Sequence, residues 1–147
     1  MNILNETTIT LDSRSCNEAY ARGAVAMFIS SLDPTVSEIS DIKTAVSEAV
    51  TNCVVHAYRD NVGKIRINVR SLPENTVYIR ITDKGCGIND VKKAMEPLFT
   101  TAPGEERAGL GFAVMQSFCD AVSVRSTPGK GTSVTLRKKL SLRCHNV

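Results

Sequence analysis

The spacing of apolar and polar positions changes period several times along the chain, and each change predicts a new element. Leu4 to Leu11 is rich in Thr and Ile and predicts a first strand. Ser15 to Leu32 predicts a helix: Ala19, Arg22, Ala26 and Ile29 mark one side, while Val25, Phe28 and Leu32 supply apolar bulk. Asp33-Pro34 breaks the pattern. Thr35-Val36-Ser37-Glu38 then has the form of a capping box, a hydroxyl with Glu three residues on. A long helix is predicted from there to about Tyr58, with Ile39, Ile42, Val46, Ala49, Val50, Cys53 and Ala57 as its core stripe.

The second half alternates more than it winds. Lys64 to Arg70 places Ile65, Ile67 and Val69 on one face. A turn follows over Leu72 to Asn75, and Val77, Ile79 and Ile81 then alternate in a partner strand, so the two predict an antiparallel hairpin with one buried face. A Gly-rich turn after Asp83 leads into a short helix, Asp90 to Glu96. Pro97 to Arg107 has little periodicity and reads as a loop long enough to be functional. A helix opened by Gly109 runs through Phe118, a strand covers Ala121 to Ser126, and the last strand covers Thr132 to Lys138. The expectation is an α+β fold, a two-layer sandwich of helices on a mixed, mostly antiparallel sheet. It is a single domain over residues 1–140, with a tail, 141–147, that frays.

Composition narrows the class without naming a chemistry. With 42% hydrophobic and 22% charged residues in 147, the chain can bury a real core. A net charge of +3, from 18 basic and 15 acidic residues mixed along the chain, is too mild to imply nucleic acid. No Trp and 5% aromatics leave little for a base-stacking platform, so direct nucleic-acid binding is not expected. Five scattered cysteines without a Cys-x-x-Cys pair argue against a disulfide framework or a zinc site, and free thiols fit a reducing compartment. No signal-peptide pattern and no membrane-length apolar run is present, which makes the expected location cytoplasmic and away from membranes.

Three short motifs can carry chemistry, and each has a bland alternative. Glu48 and Asn52 are four apart on the long helix, hence on one face, bordering the core stripe. They face either a cleft or solvent. In Asp83-Lys84-Gly85-Cys86-Gly87, an Asp at a strand end precedes two alternate glycines. The glycines let the backbone approach a flat ligand, and the carboxylate can accept from an exocyclic amine. A plain turn has the same composition. Gly109-Leu110-Gly111 at a helix start leaves backbone N–H groups where phosphate is favoured. It is neither a Walker loop nor a dinucleotide fingerprint, since no Gly-Lys-Ser/Thr follows and Val114 stands where a third glycine is needed.

The order of these motifs, with a hairpin between the first two and Gly129-Lys130-Gly131-Thr132 between the last strands, resembles the Bergerat-type ATP-binding fold of gyrase, heat-shock chaperone ATPases, histidine kinases and MutL. The resemblance runs from about Ser37 to Leu136. Thr44 to Asn52 followed by His56-Ala57-Tyr58, then Pro97-Leu98-Phe99-Thr100-Thr101, then Glu106 to Phe112, are similar to the bacterial anti-sigma serine kinases, whose stress-response and sporulation members share these motifs.

That resemblance implies ATP and Mg2+ as cofactors. Glu48 would be the base toward a substrate serine and Asn52 the magnesium ligand. Asp83 would accept from the adenine amine, with Gly85 and Gly87 shaping the base pocket and Thr132 helping through its hydroxyl. Thr100, Thr101, Gly109 and Gly111 would close a lid over the phosphates, and Arg107 would stabilise charge on the transferred group. It implies a sigma factor and an anti-anti-sigma serine acceptor as partners, Arg22 as a partner-facing residue, and a homodimer formed through the sheet. Two other readings stay open. One is an ATP-gated module that sequesters a sigma factor without catalysis. The other is the catalytic domain of a histidine kinase, against which the lack of an acceptor-histidine helix weighs.

Overall fold

The structure, a computed structural model, describes residues 1–96 and 111–142. In chain order the elements are β1 (Asn5–Asp12), α1 (Asn17–Ile29), α2 (Val36–Asn52), β2 (Lys64–Leu72), β3 (Thr76–Asp83), α3 (Val91–Ala94), α4 (Gly111–Phe118), β4 (Ala121–Thr127) and β5 (Gly131–Lys139). The strands form one sheet in the order β1-β2-β3-β5-β4. The helices α1, α2 and α4 give the second layer, with α2 packed against both of the others. The loop predicted over Pro97 to Arg107 and the opening of the following helix at Gly109 lie outside the described residues.

The expected helix layer on a mostly antiparallel sheet is present, and every pairing among the described residues is antiparallel. The reason lies in the return from β4. Strands β3 and β4 run in the same direction and would have made a parallel pair side by side. Instead β5, turning back after Thr127, inserts between them.

Period-two alternation decides which side chains face the helices. Ile65, Ile67 and Val69 pair across to Asp83, Ile81 and Ile79, and all three of these β2 side chains are buried. Asp83 therefore continues the inward face of Val77, Ile79 and Ile81 at the end of β3. Thr132 stands opposite it on β5. The sequence's own alternation thus aims a carboxylate and a hydroxyl at the helix layer, at one end of the sheet.

On α1 the buried stripe is Ala21, Val25 and Ile29, not the Ala19, Arg22 and Ala26 side. Successive steps of four bring Ala21, Val25 and Ile29 to one face, against α2. Ala19 is exposed, and Arg22 and Ala26 are half-buried. On α2 the capping box forms as predicted: Glu38 N–H donates to Thr35 Oγ1 at 3.0 Å and Thr35 N–H donates to Glu38 Oε1 at 2.8 Å. The α-helix stops at Asn52, however, and Cys53–Ala57 winds as a π-helix in which Tyr58 N–H reaches back five residues to Cys53 O at 3.2 Å. The wider turn takes Ala57 off the buried stripe that ends at Cys53.

Glu38 also fastens the chain's end. Ser141 N–H donates to Glu38 Oε2 at 2.7 Å, and Leu140 N–H donates to Asn75 O at 2.9 Å, so Ser141, where the frayed tail was expected to begin, is hydrogen-bonded. Residues 143–147 lie outside the described chain. Burial raises the Glu38 carboxyl, but hydrogen bonds from Thr35 and Ser141 outweigh it and hold it below the ordinary glutamate value. A depressed carboxyl stabilises the fold above its unfolded value, and that contribution is lost as pH falls through the folded value. Glu38→Ala is expected to cost about 1–2 kcal/mol at neutral pH by losing these bonds. In urea melts the gap to the parent protein should close in acid below the ordinary glutamate range. A gap unchanged at acid pH would show that packing, not the carboxylate, is what the substitution removes.

Among the described residues no helix is long and apolar enough to cross a membrane.

Candidate functional site

Where α2 passes into its π-turn above the end of β3, a cavity of about 580 Å³ opens. This is within the range of about 300–1,000 Å³ usual for small-molecule sites. Asn52, Asp83, Gly87, Gly111 and Thr132, five of the residues singled out from sequence, all line it.

The floor is built around Asp83. Its side chain is 7% exposed. Gly85 N–H donates to Oδ1 at 2.9 Å and the Cys53 thiol donates to Oδ2 at 3.6 Å. Burial pushes the Asp83 carboxyl above its ordinary value; the N–H of Gly85, the Cys53 thiol and the N–H of Thr132 oppose that shift without cancelling it. Each carboxylate oxygen has two lone-pair sites, so acceptor capacity remains for a donor arriving from the cavity. Beside Asp83, Thr132 is 9% exposed, and its Oγ1 lies 2.8 Å from Ser126 Oγ.

The glycine turn is held close against both layers. Cys86 N–H donates to Ala57 O at 2.9 Å and Gly129 N–H to Cys86 O at 2.7 Å, clamping the turn between the end of α2 and the β4–β5 connection. A Cβ on Gly85 would sit 2.3 Å from Ala57 O. At Gly87, where φ is +75°, it would sit 2.3 Å from Thr127 O. Any side chain there forces the backbone apart. Gly85 is thus a packing glycine behind the cavity, and Gly87 is on its wall.

At the other end, Asn52 and the first described residue of α4 meet. A Cβ on Gly111 would come within 3.0 Å of Asn52 Oδ1, so the amide lies directly against the start of that helix. Among the described residues no group of three or more His, Cys, Asp or Glu side chains converges on a metal position. One amide oxygen fits magnesium, which keeps several waters and takes phosphate oxygens alongside one or two protein ligands. At this end of the cavity Asn52 and the first described turn of α4 offer polar groups to a ligand, and on the floor Asp83 and Thr132 do.

Glu48 stands one turn before Asn52 on α2, 2% exposed, and is not on the described cavity wall. Arg22 is on α1, ion-paired with Glu18 at 2.6 Å, and is also not part of that wall. Thr100, Thr101, Arg107 and Gly109 lie outside the described residues.

Cys53 is a member of the site that sequence reasoning assigned to the core alone. It does belong to the stripe, but the π-turn aims its thiol at Asp83. Burial, followed by the nearby Asp83 charge, raises that thiol well above its ordinary value, so it stays a donor. Asp90 and Lys93 also reach the cavity. Asp90 caps α3 by accepting from Lys93 N–H at 3.1 Å. The Asp-x-x-Lys spacing signals a helix start but carries no sign that the helix borders a cleft. Ser126 closes the predicted strand Ala121 to Ser126, a position that gives no sign of a site.

The profile of the family described as a histidine kinase-like ATPase domain matches residues 13–138. The anti-sigma F factor of Caldanaerobacter subterraneus subsp. tengcongensis is 58% identical over 126 residues, 86% of this chain and 87% of that protein. The anti-sigma F factor of Bacillus subtilis is 49% identical over 138 residues, 93% of this chain and 94% of that protein. Among solved structures, the RsbU and RsbW domains of a Mycobacterium tuberculosis protein superpose with a TM-score of 0.68 at 22% identity, covering 92% of this chain and 32% of that one. The mycobacterial sensor histidine kinase MprB gives a TM-score of 0.57 at 16% identity, covering 90% and 97%. At these identities the solved structures bear on the fold alone.

Proposed function

Because the chain belongs to the histidine kinase-like ATPase domain family and, within it, to the anti-sigma F factors, we propose that it binds a sigma factor, sigma F by the name its relatives carry, and uses ATP to phosphorylate a serine on an anti-anti-sigma partner. The observation that carries the nucleotide half is the cavity with an acceptor-rich floor at Asp83 and Thr132 and an amide at the start of α4.

In this reading Asp83 and Thr132 hold the base, and Gly85 and Gly87 keep the turn close to it. Asn52 holds magnesium, which when bound neutralises charge on the phosphates. Thr100, Thr101, Gly109 and Gly111 cover the phosphates and Arg107 faces the transferred group. Glu48 takes the serine proton. Arg22, on the far helix, faces the protein partners, and a second copy pairs through the outer face of the sheet. The proposed setting is the cytoplasm, where a sigma factor works.

The test is incubation with magnesium ATP and the small proteins encoded beside it, followed by mass spectrometry for phosphoserine. Phosphoserine on a partner supports the reading. ATP-dependent sigma binding without any phosphorylation would replace it with sequestration alone, and phosphohistidine would point to a histidine kinase. Sedimentation of the same sample reads the second copy, and a monomer at all concentrations removes the homodimer.

Asn52 has its own signature. Asn52→Ala is expected to leave the melting temperature close to that of the parent and to weaken ATP binding mainly when magnesium is present. An equal loss in excess chelator would assign Asn52 to packing.

A further inference from the structure

Ser126 lies behind the cavity floor, on the inward face of β4 directly opposite Thr132. Its hydroxyl meets three groups: Ile88 N–H at 2.7 Å, Gly131 O at 3.0 Å and Thr132 Oγ1 at 2.8 Å. A serine hydroxyl has one proton and two acceptor sites. Ile88 N–H can only donate, so it takes one acceptor site. Gly131 O can only accept, so it takes the proton. All three contacts are satisfied together in one way: the Thr132 hydroxyl must donate to the remaining acceptor site of Ser126.

With its proton turned away, Thr132 shows the cavity an oxygen that can only accept. We propose that Ser126 is a specificity-determining positioning residue, which fixes the direction of the Thr132 hydroxyl so that the cavity floor selects a purine bearing an exocyclic amine over one bearing a carbonyl. The inference deepens the nucleotide reading above and rests on it.

The chemistry behind the selection is one-sided. Asp83 and Thr132 face each other across β3 and β5 and both present acceptors. An amine donates to such a floor. A carbonyl in the same place meets lone pairs and leaves buried acceptors unpaired, which discriminates more strongly than a missing methylene does. If Ser126 no longer held the proton, the Thr132 hydroxyl could rotate and donate to the carbonyl, and the selection would relax.

The experiment measures dissociation constants for ATP and inosine triphosphate, which carries a carbonyl in place of the amine. The full chain is compared with Ser126→Ala, Ser126→Thr, Thr132→Val and the double variant Ser126→Ala/Thr132→Val. Ser126→Ala is expected to reduce the ATP preference about 5- to 10-fold, the scale of one hydrogen bond. Ser126→Thr, which keeps the hydroxyl on the strand, should restore it. The double variant should lose no more preference than Thr132→Val, because both changes remove one device.

Should Ser126→Ala weaken both nucleotides equally and leave their ratio at the parent value, the hydroxyl only braces the turn and the inference is overturned. If Ser126→Ala fails to fold, Ser126→Cys keeps the volume with a much weaker donor and acceptor, and the same ratio decides. Failure of the underlying reading looks different. In that case Asp83→Asn and Thr132→Val both bind ATP as the parent does.

Discussion

Asp83→Asn is expected to lower ATP affinity about 10- to 100-fold while the nucleotide-free protein stays folded at neutral pH. The affinity loss follows from exchanging a charged acceptor, whose hydrogen bond contributes about 1.5–3 kcal/mol, for an amide that can present a donor to the base. GTP, with a carbonyl in place of the amine, should bind the parent protein worse than ATP does. The stability half follows from the same carboxyl. It is 7% exposed, and burial raises it above the ordinary aspartate value despite its three donors. A group raised in the folded state adds stability below its unfolded value and loses that contribution as pH rises through the folded value. At neutral pH the buried charge is therefore a cost; Asn removes it but turns its amide N–H group toward the Gly85 N–H or the Cys53 thiol, which offsets the gain. Isothermal titration and melts across pH read the two halves separately. A variant with parental ATP affinity would remove Asp83 from base recognition. A variant that binds poorly only because it is unstable would make Asp83 a structural residue.

Much of this arrangement was legible because it depends on local periods. Val77, Ile79 and Ile81 alternate, and the next position in that register is Asp83, so the strand's inward face delivers the carboxylate to the cavity without further instruction. Glu48 and Asn52 share a helix face for a similarly local reason. The π-turn was not legible, because Cys53 to Ala57 fits a 3.6-residue stripe as sequence. The wider turn is visible only once Ala57 O is engaged by Cys86 N–H from the glycine turn, far along the chain. The partnership of Cys53 with Asp83 depends on that turn, which is why the thiol read as core alone. The sheet's strand order was hidden for a different reason: alternation gives the face of a strand but not its neighbours. The insertion of β5 between β3 and β4 is a long-range choice. On α1, Arg22 at a stripe position misled the phase, since a long side chain can lie along an apolar face while its guanidinium pairs with Glu18.

Glu48→Gln separates catalysis from binding and carries the largest effect expected of any single change. Phosphoryl transfer asks little covalent work of a protein, so positioning and charge stabilisation dominate. A serine hydroxyl is nonetheless a poor nucleophile until a base orients it and takes its proton. Glu48 is the proposed base because it precedes Asn52, the proposed magnesium ligand, by one turn of α2. It is 2% exposed and off the described cavity wall, so the proposed role requires that partner binding open a path to it. Gln keeps the size and much of the hydrogen bonding of Glu and loses its basicity. The variant should bind magnesium ATP and hold the sigma factor as the parent does, while single-turnover transfer to the partner serine falls by about 10²–10⁴, the usual scale for a general base. Arg107→Ala should slow transfer as well, through lost charge stabilisation of the transferred group. Parental transfer rates in Glu48→Gln would end the base assignment. Lost ATP binding in that variant would instead make Glu48 part of the scaffold that holds Asn52 in place.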